Sequence, residues 1–150
     1  MKTLTIVIII TILLCFLSVS RGTEIHISYG KHSTKGYIEI SIMIDQVDNL
    51  AGVKLIIKYD SKNLVFKKGI KTKYSEPLTY VINSKNAGKL IIVMAGAHGI
   101  SGKEFPLIKL IFNQIKKSSL SWIKIVNAEF VSEKLESIRC KIPRSEIRIK

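Results

Sequence analysis

Apolar and polar positions alternate along most of the chain with a period of two, the pattern of strands that bury one face. In Tyr37-Ile38-Glu39-Ile40-Ser41-Ile42-Met43-Ile44-Asp45, the residues Ile38, Ile40, Ile42 and Ile44 share one face, with Glu39 and Ser41 opposite. Val53, Leu55, Ile57 and Tyr59 repeat the arrangement, and Lys54 and Lys58 turn outward around Ile56. The same reading predicts strands over Glu24–Tyr29, Asn63–Lys68, Leu78–Ser84, Lys89–Ala97, Pro106–Ile115, Leu120–Val126, Glu129–Ser132, Ile138–Ile142 and Glu146–Ile149. Turn-forming residues separate them at Gly30-Lys31, Asp60-Ser61, Lys68-Gly69, Asn86-Ala87-Gly88 and Gly99-Ile100-Ser101-Gly102. No stretch of ten residues shows a 3.6-residue period. About nine to eleven short, β-branched strands at close spacing predict an all-β fold, a single antiparallel β-sandwich.

The first residues fall outside this pattern. Met1-Lys2 is a short positive start, Leu4 to Leu17 is almost wholly apolar, and Ser18-Val19-Ser20-Arg21-Gly22 supplies small residues spaced for a peptidase. That is the three-part layout of a secretory signal, with cleavage expected after Gly22 or after Ser20. Cys15 follows Leu13-Leu14 rather than a small residue, so a lipoprotein site is not expected. No second apolar run of spanning length follows. The chain therefore divides into residues 1–22, a signal peptide for which the alternative is an uncleaved anchor, Leu4–Ser20 being at the short limit of a membrane span, and residues 23–150, one sandwich domain at the cell exterior.

Composition sharpens this picture. The 150 residues carry 24 Lys+Arg against 11 Asp+Glu, a formal charge of +13. Removing 22 residues leaves 128, and Lys2 and Arg21 leave with them, so 22 cations face 11 acids and the charge becomes +11. A 47% hydrophobic content excludes a disordered basic tail. The cations are mainly lysine, and isoleucine is the commonest apolar residue, a joint excess that an AT-rich genome also produces. Export removes nucleic acid from the partners that a basic chain would otherwise invite. Only Cys140 remains after cleavage, so no internal disulfide forms and the core alone must hold the sandwich.

Reactive constellations are missing from the sequence. There is no HExxH, GxSxG, CxxC or Walker glycine loop. His26, His32 and His98 are scattered, and the glycines around His98 read as a strand-end loop. Asp45, Asp48 and Asp60 stand near predicted turns among lysines, where capping of the turn explains them better than calcium, which needs six or more oxygens. Phe66-Lys67-Lys68-Gly69-Ile70-Lys71-Thr72-Lys73-Tyr74, the densest basic stretch, reads as a solvated loop, and Trp122 as a core residue. No catalytic residue, metal ligand or cofactor is expected.

From Leu50 onward the sequence resembles the cohesin domain family. Leu50-Ala51-Gly52-Val53-Lys54-Leu55-Ile56-Ile57-Lys58-Tyr59-Asp60 is similar to that family's apolar strand closed by Tyr-Asp, and Asn63-Leu64-Val65-Phe66 to the strand after it. Asn86-Ala87-Gly88-Lys89 to Gly96, Gly99-Ile100-Ser101-Gly102 with Leu107 to Phe112, and Ile123 to Val131 follow in the family's order and spacing. The resemblance implies a jelly-roll sandwich of about nine strands that binds a dockerin-like protein module, in the setting of polysaccharide catabolism. A carbohydrate is the other ligand class. Some cohesins use Asn and Asp as contacts at positions that correspond to Gly52 and Lys54; neither side chain is kept here, and an acid has become a base.

The expected binding surface is thus an outer sheet face containing Lys54, Ile56 and Lys58. One such face can supply the roughly 800 Å² per partner of a standard interface. The competing expectation is a structural surface or envelope protein that associates only with itself.

Overall fold

The computed structural model describes residues 22–30, 36–116 and 120–149. All of its regular structure is strand: β1 Thr23–Tyr29, β2 Tyr37–Tyr59, β3 Leu64–Lys71, β4 Thr79–Asn83, β5 Lys89–Gln114, β6 Ser121–Ser132, β7 Ser137–Ile138, β8 Cys140–Arg144 and β9 Glu146–Ile149. No helix among the described residues is long and apolar enough to cross a membrane. The expected signal segment lies outside the described residues, except for Gly22.

Two long strands organise the molecule. β2 and β5 pair antiparallel from Tyr37↔Asn113 to Lys58↔Lys89, with register shifts between Val47 and Leu50 and between Leu50 and Gly52. At those shifts the buried phase of β2 changes from even positions (Ile38, Ile40, Ile42, Ile44) to odd ones (Val53, Leu55, Ile57, Tyr59). Bulges sharpen twist and bend a ribbon, so the nine-stranded sheet turns over on itself there. One layer holds β3, the second half of β5, the first half of β2, then β1 and β8; the other holds β4, the first half of β5, the second half of β2, and β6 with β7 and β9 on its far edge. The ring of Tyr59 in one layer packs on Phe112 in the other, centroids 5.1 Å apart and edge to face. The interior between the layers is aliphatic and aromatic, with Phe105, Phe112, Phe130 and a row of isoleucines fully buried.

The all-β sandwich expected from the alternation is thus present, with local departures. Gly99-Ile100-Ser101-Gly102 is not a turn: β5 runs straight through it as one 26-residue strand, because its backbone is paired to the bend of β2 at Leu50↔Ile100 and Val47↔Gly102. Lys68-Gly69 is not a turn either. β3 continues to Lys71, and Gly69 accepts a 2.9 Å hydrogen bond from the Tyr80 hydroxyl, while the Ile82 side chain occupies the space a Cβ would take. The basic stretch is therefore an edge strand whose exposed Lys67 and Lys68 discourage pairing with another sheet. Phe66 turns inward onto Phe112, while Tyr74, in the turn beyond Lys71, stays exposed with its ring against Phe105. Finally, β1 and β8 pair parallel, not antiparallel.

Cys140 opens β8 as a half-buried free thiol that packs against the core. Burial first, and then the Asp45 carboxylate, push its thiol up to about 11. A thiol raised in this way keeps its proton at pH 8.5, where the unfolded thiol is about half ionised. Alkylation by iodoacetamide at pH 8.5, followed on the peptide containing Cys140, should be at least tenfold slower in the native protein than in urea. Equal rates would mean that the thiol is neither shielded nor shifted.

Candidate docking face

The outward side of the β4–β5–β2–β6 layer is built by strict alternation from buried neighbours. Leu55, Ile57 and Tyr59 point into the core, so Lys54, Ile56 and Lys58 point out, where the sequence reading placed them. The register then supplies neighbours that lie far away in sequence. Lys54 stands between Val93 on β5 and Glu129 on β6, and Val93 faces Val81 on β4. Ile56 stands between Ile91 and Asn127, with Asn83 beyond Ile91. Lys58 stands between Lys89 and Lys124.

The centre of this face is aliphatic. Val81 is 66% exposed and Val93 46%, direct neighbours across one strand pair, and Ile91 lies beside Ile56 in the next row. Cross-strand β-branched pairs stabilise the sheet modestly, yet valines this exposed give the fold little burial. Contiguous apolar surface of this kind marks an interaction site more often than isolated exposed residues do.

Charge is arranged unevenly around that centre. Lys54 Nζ lies 3.2 Å from Glu129 Oε1, and the Asn127 amide donates to the same oxygen at 2.8 Å. The Asn127 hydrogen bond first, and then Lys54, hold the Glu129 carboxyl below the usual carboxylate range. Lys54 is thereby drawn toward β6, away from the valines. At the other end, none of Lys58, Lys89 and Lys124 has a carboxylate oxygen within 4.0 Å among the described residues.

Other sequence candidates have structural duties. Asp60 closes the turn after β2, its carboxylate accepting from the Lys62 N–H at 3.1 Å and the Asn63 amide at 2.8 Å. Asp45 accepts the Glu24 N–H at 2.6 Å, and Asp48 accepts the Ser101 hydroxyl at 2.7 Å. That hydroxyl in turn accepts the Asn49 N–H at 2.8 Å, at the bend of β2. His98 is 87% exposed beside Glu133, and His26 sits on β1 opposite Met43, so these two histidines do not converge. No group of three His, Cys, Asp or Glu side chains is placed to hold a metal among the described residues. Trp122, expected in the core, instead lies on the outward row of β6, 37% exposed opposite Arg148, because its neighbours Ser121 and Ile123 take the buried phase.

No family model matches the sequence, and no curated protein matches it. Solved structures do match. The sixth cohesin of scaffoldin B from Acetivibrio cellulolyticus, solved with a mutant Cel5 dockerin, is 15% identical with a TM-score of 0.72, covering 86% of this chain and 99% of that one. A non-cellulosomal cohesin from Archaeoglobus fulgidus is 16% identical with a TM-score of 0.72, covering 86% and 91%. The fold is that of a cohesin. An OlpA cohesin from Clostridium thermocellum, solved with the dockerin Doc918, is 14% identical with a TM-score of 0.71, covering 87% and 99%.

The cohesin-like motifs acquire physical reasons in this structure. Tyr-Asp at 59–60 joins a ring that bridges the layers to a carboxylate that closes the next turn. Gly88 adopts a φ of 80° in the turn leading into β5, and its carbonyl accepts the Tyr59 N–H at 3.0 Å. Ser101 clamps the bend of β2. These residues build the sandwich rather than its outer face.

Sequence reading missed the contributions of Val81, Ile91, Val93, Lys89 and Lys124. One signal was available. Leu90-Ile91-Ile92-Val93-Met94-Ala95 is apolar in both phases of the alternation, as strands covered on both faces are.

Proposed function

We propose that this chain is an exported, non-catalytic docking module that receives a helical, dockerin-like protein module on the outer face of its β4–β5–β2–β6 layer. The aliphatic centre formed by exposed Val81 and Val93 with half-buried Ile91 and Ile56 supports this reading most directly. Cohesins of this fold have been solved with dockerins, and a flat sheet face accommodates the apolar stripe of a helix. The residues proposed to form the contact are Lys54, Ile56 and Lys58 together with Val81, Ile91 and Val93. A polysaccharide fits this surface less well, since sugars stack on aromatic rings and the centre has none; Trp122 stands at its margin. A role in polysaccharide catabolism would follow from the partner's attached enzyme rather than from chemistry on this chain. Residues 1–22 are proposed to direct export and be removed, which the intact mass of the exported protein will show.

The test is binding to a panel of purified dockerin modules. Val81→Asp/Val93→Asp should weaken capture at least tenfold, because apolar residues at the middle of an interface dominate its energy. Val65→Asp, on the edge strand of the opposite layer, should leave it unchanged. Equal loss with both variants, or no loss with the first, rejects this face.

The rival reading, self-association into a surface structure, has one observation in its favour. β4 pairs on one side only, and its five residues Thr79–Asn83 contain no Lys or Pro to protect the edge. Light scattering on the purified protein separates the two readings. A ligand-free dimer that Val81→Asp dissolves favours self-association, and a monomer favours docking.

A further inference from the structure

We infer that the occupant of this face is acidic: a protein helix whose apolar stripe is bordered by carboxylates that seat on Lys58, Lys89 and Lys124. This rests on the docking reading above and specifies the chemistry of the partner. The three lysines are direct cross-strand neighbours, Lys89↔Lys58 and Lys58↔Lys124, on three adjacent strands about 4.8 Å apart. Like charges directly opposite one another destabilise a sheet, so the row is a standing repulsion, and its acidic cross-strand neighbour, Glu146, stands only at the Lys124 end.

The carboxylates at neighbouring positions of the layer also serve other partners. Glu129 is held by Asn127 and Lys54. Glu146, opposite Lys124 across the β6–β9 pair, has Oε1 3.8 Å from Arg148 Nε. Asp60 closes its own turn. On the outer face of the other layer, Lys109 lies 2.7 Å from Glu39. What sets this row apart is not the lack of an ion pair among the described residues, which Lys67 and Lys68 share, but that three lysines stand as direct cross-strand neighbours beside the aliphatic centre.

Position converts this into selectivity. The lysine row borders the Ile56–Ile91 row, one outward step along the strands. Any helix lying on those isoleucines also covers part of the lysines and removes water from them. A cation stripped of water without a counter-charge is costly, and one that meets a carboxylate is not. A neutral partner therefore meets a penalty at this end of the face, a basic partner a larger one, and an acidic partner is both steered in and retained.

The test uses the full chain and three helical-hairpin modules of identical apolar stripe, bordered at one end by Glu, Gln or Lys. Binding should rank Glu over Gln over Lys, with at least tenfold between the extremes, and the Glu module should weaken at least tenfold between about 50 and 500 mM salt. Lys58→Glu/Lys124→Glu should reverse the rank. The wild-type far-ultraviolet spectrum in that variant shows that the fold is intact, and Lys109→Glu on the other layer serves as the charge control and should preserve the rank. If all three modules bind equally and Val93→Asp abolishes binding, the acidic partner is wrong and the docking face stands. If no module binds, or binding ignores Val93→Asp, the face falls and this inference with it.

Discussion

Phe112→Ala is expected to cost about 3–5 kcal/mol of folding stability and to lower Tm by roughly 10–20 °C for a domain of this size. Phe112 is fully buried on the second half of β5 and meets two other rings edge to face, Tyr59 at 5.1 Å and Phe66 at 5.6 Å. Each contact links it to a different strand: Phe66 is its partner on β3 in the same layer, and Tyr59 belongs to the opposite layer. Truncation leaves a cavity where the layers meet, and strands pinned by their ladders can collapse only partly into it. The loss is a large fraction of the roughly 5–15 kcal/mol that holds a typical domain together, and no disulfide among the described residues compensates. Phe112→Leu, which retains much of the volume, should lose about half as much. Urea unfolding followed by Tyr and Trp fluorescence measures both. A midpoint unchanged by the alanine variant would show that the layers do not depend on this contact.

Gly99→Ala should be nearly as damaging, about 3 kcal/mol, although it adds one methyl group. A Cβ on Gly99 would lie 2.6 Å from the carbonyl carbon of Asn49 and 2.7 Å from its oxygen. Those are backbone atoms at the bend of β2, and they have little freedom to retreat. Asn49 already adopts a φ of 57°, its N–H is donated to Ser101 Oγ at 2.8 Å, and its carbonyl accepts the Glu133 N–H at 3.1 Å. The Gly99 N–H is itself tied to Glu133 Oε2 at 3.0 Å. Relieving the clash means loosening the point where the ribbon turns from one layer into the other. Gly30→Ala is the control, since nothing lies within 4 Å of a Cβ there, and it should change stability by less than about 0.5 kcal/mol. If the two alanine variants unfold at the same urea concentration, the crossing at Asn49 is more yielding than its hydrogen bonds indicate.

Both variants also bear on docking. The face begins just beyond Gly99, where Val93, Ala95 and Gly52 share the two rows nearest the bend. A shift at the crossing should weaken partner binding without touching a contact residue, whereas Phe112→Ala should spare affinity in whatever fraction remains folded.

Much of the fold was legible because burial writes itself into single strands. Ile38 to Ile44 and Val53 to Tyr59 are stripes that only a pleated, half-buried segment explains, and the structure places each on the predicted side. Lys54, Ile56 and Lys58 were placed outward by the same logic, since exposure in a strand follows from the parity of its neighbours. Gly99 and Gly69 misled for a physical reason. A glycine that allows a turn and a glycine that makes room for a neighbouring backbone or side chain look alike in sequence, and here both make room, Gly99 for Asn49 and Gly69 for Ile82. Trp122 misled in another way: its size suggests burial, but the parity of β6 gives the interior to Ser121 and Ile123.

The sequence by itself determined the strands, the buried stripes and the absence of familiar catalytic motifs, because each of these is a local property of composition or period. Only the tertiary structure decided which strands lie side by side. Lys58 meets Lys89 and Lys124, and Val93 meets Val81, through registers that join segments up to 66 residues apart. Pairing of that kind depends on where β2 and β5 bend together, a packing outcome no single segment encodes. The charge of +13 belongs to the sequence; the concentration of three unpaired lysines beside an aliphatic face belongs to the register.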